Sequence, residues 1–171
     1  EWVAPGTVFT TWIDVINLSR EELGALLWLL SLDVFEENNR GHFHRLGGGE
    51  ALGFGSVKIE IAELDLANGK GKKAEYSSLR PLDDEARTGD DFALARDAHK
   101  AASLARRTFV EPFKAAIADA YPGHGGQKEF GEVSFIKAFL AAARGFDDLP
   151  VHYPRFGTAP DPKGENYKWF V

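Results

Sequence analysis

Between His42 and Gly55 the sequence HFHRLGGGEALGFG gathers the residue types of this chain best able to do chemistry. His42 and His44 alternate, so in an extended segment both rings fall on one side, as a pair of metal ligands or a general acid and base would require. The bland alternative is two polar loop histidines. Gly47, Gly48, Gly49, Gly53 and Gly55 come next. Glycines reach positive φ and let a phosphate or a neighbouring backbone approach closely, and successive N–H groups can form an anion-binding nest. The same residues also suit a tight structural turn or a flexible connection. Arg45 before the glycines and Lys58 after them supply the nearest positive charge.

Two familiar phosphate loops do not fit this segment. No Gly-Lys-Ser/Thr ending is present for a Walker loop, and the glycines come after a helix and before a strand, the reverse of a dinucleotide-binding fingerprint. Nucleotide hydrolysis and hydride transfer are therefore excluded as readings of the loop. With no cysteine in the chain there is no thiol nucleophile, disulfide or cysteine-bound zinc. No metal site and no cofactor is expected.

The elements around the loop follow from periodicity. Val8 to Leu18, VFTTWIDVINL, is β-branched and aromatic on both alternating sets, which predicts a central strand covered on both faces. Ser19-Arg-Glu-Glu22 is a capping box, and Leu23, Leu26, Leu27 and Leu30 then give a helix with one apolar face. Asp33 to His44 is polar and reads as irregular. Val57, Ile59 and Ile61 alternate with Lys58 and Glu60 in a second strand, whose phase changes near Ala62 and Glu63, as at a bulge or bend.

Further on, residues 67–91 have loop composition, with Asn68-Gly69 as a turn, GKGKK as a basic knot and Ala74 to Leu79 as a possible short returning strand. A helix is predicted over Phe92 to Phe109, carrying Arg96, Lys100 and Arg107 on one side, with a break at Val110 before Pro112 and a second helix to Tyr121. That basic side reads first as a solvated helix face and second as a phosphate track. A last helix over Glu132 to Arg144 presents Val133, Ile136, Phe139, Leu140 and Ala143, and Gly145 terminates it. Trp12 and Trp28 read as core residues.

Bulk composition bounds the reading. The chain has 171 residues, 44% apolar and 27% charged, enough for one core. No run is apolar for the roughly 18 residues a membrane span needs, and no secretory leader is visible, so a cytoplasmic protein is expected. The net charge of −6 is uneven: residues 1–66 hold four basic and eleven acidic side chains, residues 67–171 sixteen and fifteen. Phosphate binding would rest on local patches and backbone amides. The absence of methionine and the start at Glu1 suggest a piece of a longer polypeptide.

The order strand, helix, RLGGGEALGFG, strand, together with the tail motifs PVHYPRF and NYKWFV, resembles the RAMP superfamily of CRISPR-associated proteins. The resemblance covers residues 5–66 and 148–171. It implies an α+β fold with part of a ferredoxin-like unit in residues 1–66, a loop or hairpin over 67–91, and a helical appendage with an aromatic tail over 92–171, packed as one domain. The first half of that unit would come from a preceding segment or another chain. It further implies a non-catalytic component of a CRISPR RNA-guided effector in antiviral defence, with CRISPR RNA and other effector subunits as partners. Arg45, Gly47, Gly48, Gly49, Gly53, Gly55 and Lys58 would be the RNA-binding residues. Two alternatives stay open: a metal-independent RNA endonuclease using His42 or His44, and a protein-interaction module that binds no RNA. Asp14 matches no nuclease position, and His152-Tyr153 reads as packing. An unpaired strand edge on such a half-unit favours a homo-oligomer.

Overall fold

The computed structural model describes residues 3–35, 41–47, 55–78, 82–87, 89–122, 126 and 129–145. The tail motifs, His152 and Tyr153 lie outside these residues, as do Gly48, Gly49 and Gly53. The fold is mixed α+β. Among the described residues the strands form two separate two-stranded antiparallel sheets, set around a helical core.

The first helix, α1 (Arg20–Leu30), starts where the capping box places it: Ser19 Oγ accepts from Glu22 N–H at 3.2 Å and Glu22 accepts from Ser19 N–H at 2.8 Å. That exchange holds the Glu22 carboxyl below its ordinary range. Leu23, Leu27 and Trp28 are buried on its inner face. Gly24 is buried there too, and a Cβ on it would lie 2.2 Å from the Phe109 carbonyl oxygen, so the helix meets its neighbour backbone to backbone. A short turn of helix, α2 (Leu32–Phe35), inserts Leu32 and the fully buried Phe35 into the core, where an irregular stretch from Asp33 was expected.

Strands β1 (His44–Arg45) and β2 (Ser56–Val57) pair at the ends of the glycine loop, with His44 opposite Val57 and Arg45 opposite Ser56. Residues 58–63 belong to no strand, and β3 (Leu64–Ala67) pairs with β4 (Phe92–Ala95) in the other sheet. The change of phase at Ala62 and Glu63 therefore marks passage from one sheet to the other, where a bulge or bend was expected.

Three expectations for the middle of the chain are corrected. Residues 69–77 form a helix, α3 (Gly69–Ser77), where a loop or returning strand was expected. Asn68 does not make a turn but caps α3: its Oδ1 accepts from Lys70 N–H at 2.9 Å and Gly71 N–H at 3.0 Å, the same side-chain-to-backbone bonding that favours Asn in turns. Phe92 to Ala95 is strand β4, not the start of a helix, because Leu64 and Leu66 across the ladder give it a partner. Arg87 and Arg96 lace this sheet to its surroundings. Arg87 bridges Asp65 and Glu75, and Arg96 makes a bidentate pair with Asp84 at 2.8 and 2.9 Å.

Helix α4 (Ala98–Ala105) begins at an Asp97 cap and runs through a π-helical turn, Arg106–Val110, into α5 (Glu111–Ala120). No break occurs at Val110. Pro112 lacks the N–H that would return to Thr108, and the wider turn accommodates the ring. Arg20 Nε takes up the Thr108 carbonyl instead, at 2.6 Å. Helix α6 (Ser134–Arg144) buries Val133 just before it and Ile136 and Ala143 within it, and Gly145 ends it at φ 85°. Trp28 sits at the centre of the packing, with ring centroids of Phe130, Phe139 and Phe113 at 5.1, 5.7 and 5.9 Å.

The largest departure is at the start of the chain. Residues 7–16 run without a turn or bend but belong to no strand, and Val8, Phe9, Trp12, Ile13 and Ile16 are exposed. The expected central strand is absent here, and Trp12 is not a core residue. Only Val15 packs against the core from this segment. Asn17, at φ 58°, redirects the chain into the α1 cap.

Candidate functional site

The glycine loop is carried by β1 and β2, and the ends of two helices fix the hairpin. Phe43 N–H donates to the Ala143 carbonyl at 3.1 Å, tying β1 to the last turn of α6. His44 Nε2 lies 3.1 Å from the Leu30 carbonyl, at the last turn of α1. Leu46 N–H donates to the Gly55 carbonyl at 3.0 Å and closes the neck of the loop. Gly55 is required there: its φ is 68°, and a Cβ would fall 1.9 Å from the Leu46 carbonyl oxygen. Gly47 also has positive φ, 97°, but with open space around it, so its role is conformational.

The structure distributes the candidate side chains over both faces of β1. His42 and His44 lie on one side. His42 is 9% exposed and its Nδ1 is buried with no hydrogen-bond partner, while His44 is half-buried against the end of α1. Phe43 and Arg45 share the other side, with the guanidinium carbon 5.9 Å from the Phe43 ring centroid. One Arg45 Nη is buried without a partner, and the other lies 3.7 Å from the position of a Gly145 Cβ. Arg45 thus points a cation at the C-terminal end of α6, where the helix dipole favours it. Lys58, just past β2, is exposed and lies 3.4 Å from Glu60.

Chemically, this is a closed neck at the two ends of the glycine-rich segment, with Lys58, paired to Glu60, as an exposed cation beside it. His42 is buried, and His44 is turned toward the end of α1. Among the described residues no three His, Asp or Glu side chains converge on a point that would hold a metal ion.

Among the described residues, most of the cations around the long helix are engaged by neighbours. Arg96 lies beyond β4 and is engaged by Asp84, Asp65 and Glu63, Lys100 pairs with Asp97, and Lys114 donates to the Phe35 carbonyl at 2.7 Å. Arg106 also donates to α2, at the Val34 carbonyl, so two cations close the end of that helical turn. Arg107 is exposed. Arg96, Lys100, Arg106 and Lys114 thus serve neighbouring carboxylates and carbonyls.

What sequence reasoning missed is the surface formed by Val8 to Ile16. Its signal was present, since apolar residues on both alternating sets require neighbours on both faces, but nothing in the pattern told that the described fold supplies so few. None of the helices among the described residues is long and apolar enough to cross a membrane. Compared with known proteins, the chain matches no family model and no curated protein.

Proposed function

We propose that this chain is a non-catalytic component of an RNA-guided CRISPR effector, in which the β1–β2 neck holds its glycine loop against guide-RNA backbone or a neighbouring subunit. The reading joins the RAMP resemblance of RLGGGEALGFG to one observation, the loop neck clamped between the ends of α1 and α6 with Gly55 in a conformation no other residue fits. A ferredoxin-like sheet completed by another segment is part of the same proposal. Recognition of this kind reads backbone shape and leaves sequence to base pairing. The inward packing of His42 and His44 supports binding over catalysis, because a general base must reach the 2′-hydroxyl it activates.

Incubation with labelled CRISPR repeat RNA tests the proposal. Binding that weakens as salt rises, without cleavage, is the expected result, and Lys58→Glu should weaken it across RNA sequences. Cleavage without metal that is lost in His42→Ala or His44→Ala would replace this reading with the endonuclease. The interaction module without RNA binding is favoured by a separate observation, the exposed apolar run of residues 8–16. It becomes the better reading if no RNA is bound at low salt.

A further inference from the structure

The run Val8 to Ile16 has the composition of a buried strand and the surroundings of a surface loop. Val8, Phe9, Trp12 and Ile16 are 84, 77, 86 and 78% exposed. Among the described residues it makes no backbone hydrogen bond, so a row of N–H and C=O groups is open on each edge. Such an edge, straight and apolar, is a template for strand addition. Its two sides differ. Val8, Thr10, Trp12, Asp14 and Ile16 face away from the core, whereas on the other set exposure falls from Phe9 through Ile13 to Val15, which packs on it.

We propose that residues 8–16 pair antiparallel with the same residues of a second copy of this chain, about a two-fold axis through Trp12. The proposal does not rest on RNA binding. Residues directly opposite each other point to the same side of a sheet, so a register that keeps each copy's core-facing side with its partner's must pair even positions with even and odd with odd. Asp14, the one charge between Thr7 and Ser19, then selects among these. With Trp12 opposite Trp12, Asp14 meets Thr10, Val8 meets Ile16, Phe9 meets Val15 and Thr11 meets Ile13. The carboxylate faces a hydroxyl, and the other pairs join β-branched or aromatic side chains. Moving the axis to Thr11 or Ile13 sets Asp14 against Val8 or Trp12, and moving it to Asp14 sets the two carboxylates against each other. Of the residue-centred axes within the run, the one at Trp12 alone gives Asp14 an uncharged polar side chain opposite it, and it pairs the run with itself end to end, as an isologous interface requires. Trp12 and Phe9 each bring on the order of 150–250 Å². With Val8, Ile13 and Ile16 from both copies, the patch is large enough to approach the roughly 1,000 Å² of a specific interface.

Sedimentation of the intact chain should show a concentration-dependent monomer–dimer equilibrium up to about 100 μM. Thr10→Asp places like charges opposite each other twice per dimer and should weaken it roughly five- to thirty-fold, while Thr10→Lys faces Asp14 and should tighten it several-fold. Because the chain has no cysteine, a single Cys in place of Trp12 is its only thiol. It should be joined to its mate on mild oxidation at least about tenfold faster than Cys in place of Thr11, which faces Ile13. Unchanged helical circular dichroism shows that each variant is folded. A monomer throughout, equal effects of Thr10→Asp and Thr10→Lys, open-ended oligomers, or equal cross-linking at positions 11 and 12 would each overturn the proposal. Monomeric protein with Trp12 shielded from quenchers would assign the surface to another segment of the chain instead.

Discussion

Trp28 and Trp12 sit in stretches of similar apolar character, yet one is 4% exposed and the other 86%. Trp28 lies on a helix whose ends are capped and whose neighbours arrive within the same chain: Phe113 from α5, Phe130 before α6 and Phe139 on it. Trp12 lies in a segment that needs strands beside it, and the described residues offer none. A helix satisfies its own backbone and needs partners on one face. A strand of this composition needs partners on two edges and two faces. The contrast explains why a helical core can be complete while an equally apolar strand is left on the surface.

Mutations can break this contrast in graded steps. Trp28→Ala should cost about 3–5 kcal/mol of stability by opening a cavity among three aromatic rings, measured by urea unfolding. Gly24→Ala should cost roughly 1–3 kcal/mol, since the new methyl meets the Phe109 carbonyl and α1 must move off the π turn. Asn68→Ala removes the bonds to Lys70 and Gly71 and should cost about 1 kcal/mol, localised by hydrogen exchange to α3. Trp12→Ala should change monomer stability by about 0.5 kcal/mol or less, the value for an exposed site. A large loss there would mean that Trp12 is buried within its own chain.

Around the sheet of β3 and β4, paired carboxylates add a pH dependence of their own. The Arg96 guanidinium holds the Asp84 carboxyl below its usual range, and hydrogen bonding to Lys72 does the same for Glu75. Both groups are lowered in the folded state, so their stabilisation is present above ordinary carboxylate pKa values and is lost as pH falls through the depressed ones. Acid titration of β3–β4, followed by NMR, should show loosening below about pH 4. Asp84→Asn should flatten that acid limb while leaving α1 and α5 unchanged.

Local signals were legible where a residue's partner is near in sequence. The Ser19 box, the apolar face of α1, and the end of α6 at Gly145 rest on bonds spanning a few residues, and each stands where its pattern placed it. The turn at Asn68 was misread because a turn and a helix cap use the same short-range bond. The helix it caps packs through a distant contact, since a Cβ on Gly71 would lie 2.6 Å from the Asp91 carbonyl oxygen. Phe92 to Ala95 reads as helix until Leu64 to Ala67 lies beside it, and Pro112 reads as a break until Arg20 supplies the donor for Thr108. At the loop, the glycines and cations were visible in the sequence. The turning of Arg45 and His44 toward helix ends and the burial of His42 were not, since α1 and α6 lie far from them along the chain.

The most direct measurement is amide hydrogen exchange of residues 8–16 against α1 over a range of protein concentrations. If the segment is a strand awaiting a second copy, α1 is protected throughout, while residues 8–16 exchange freely in dilute protein and gain protection as concentration rises. Protection of residues 8–16 that is already full in dilute protein and does not change with concentration would contradict this, because the strand would then be paired within its own chain.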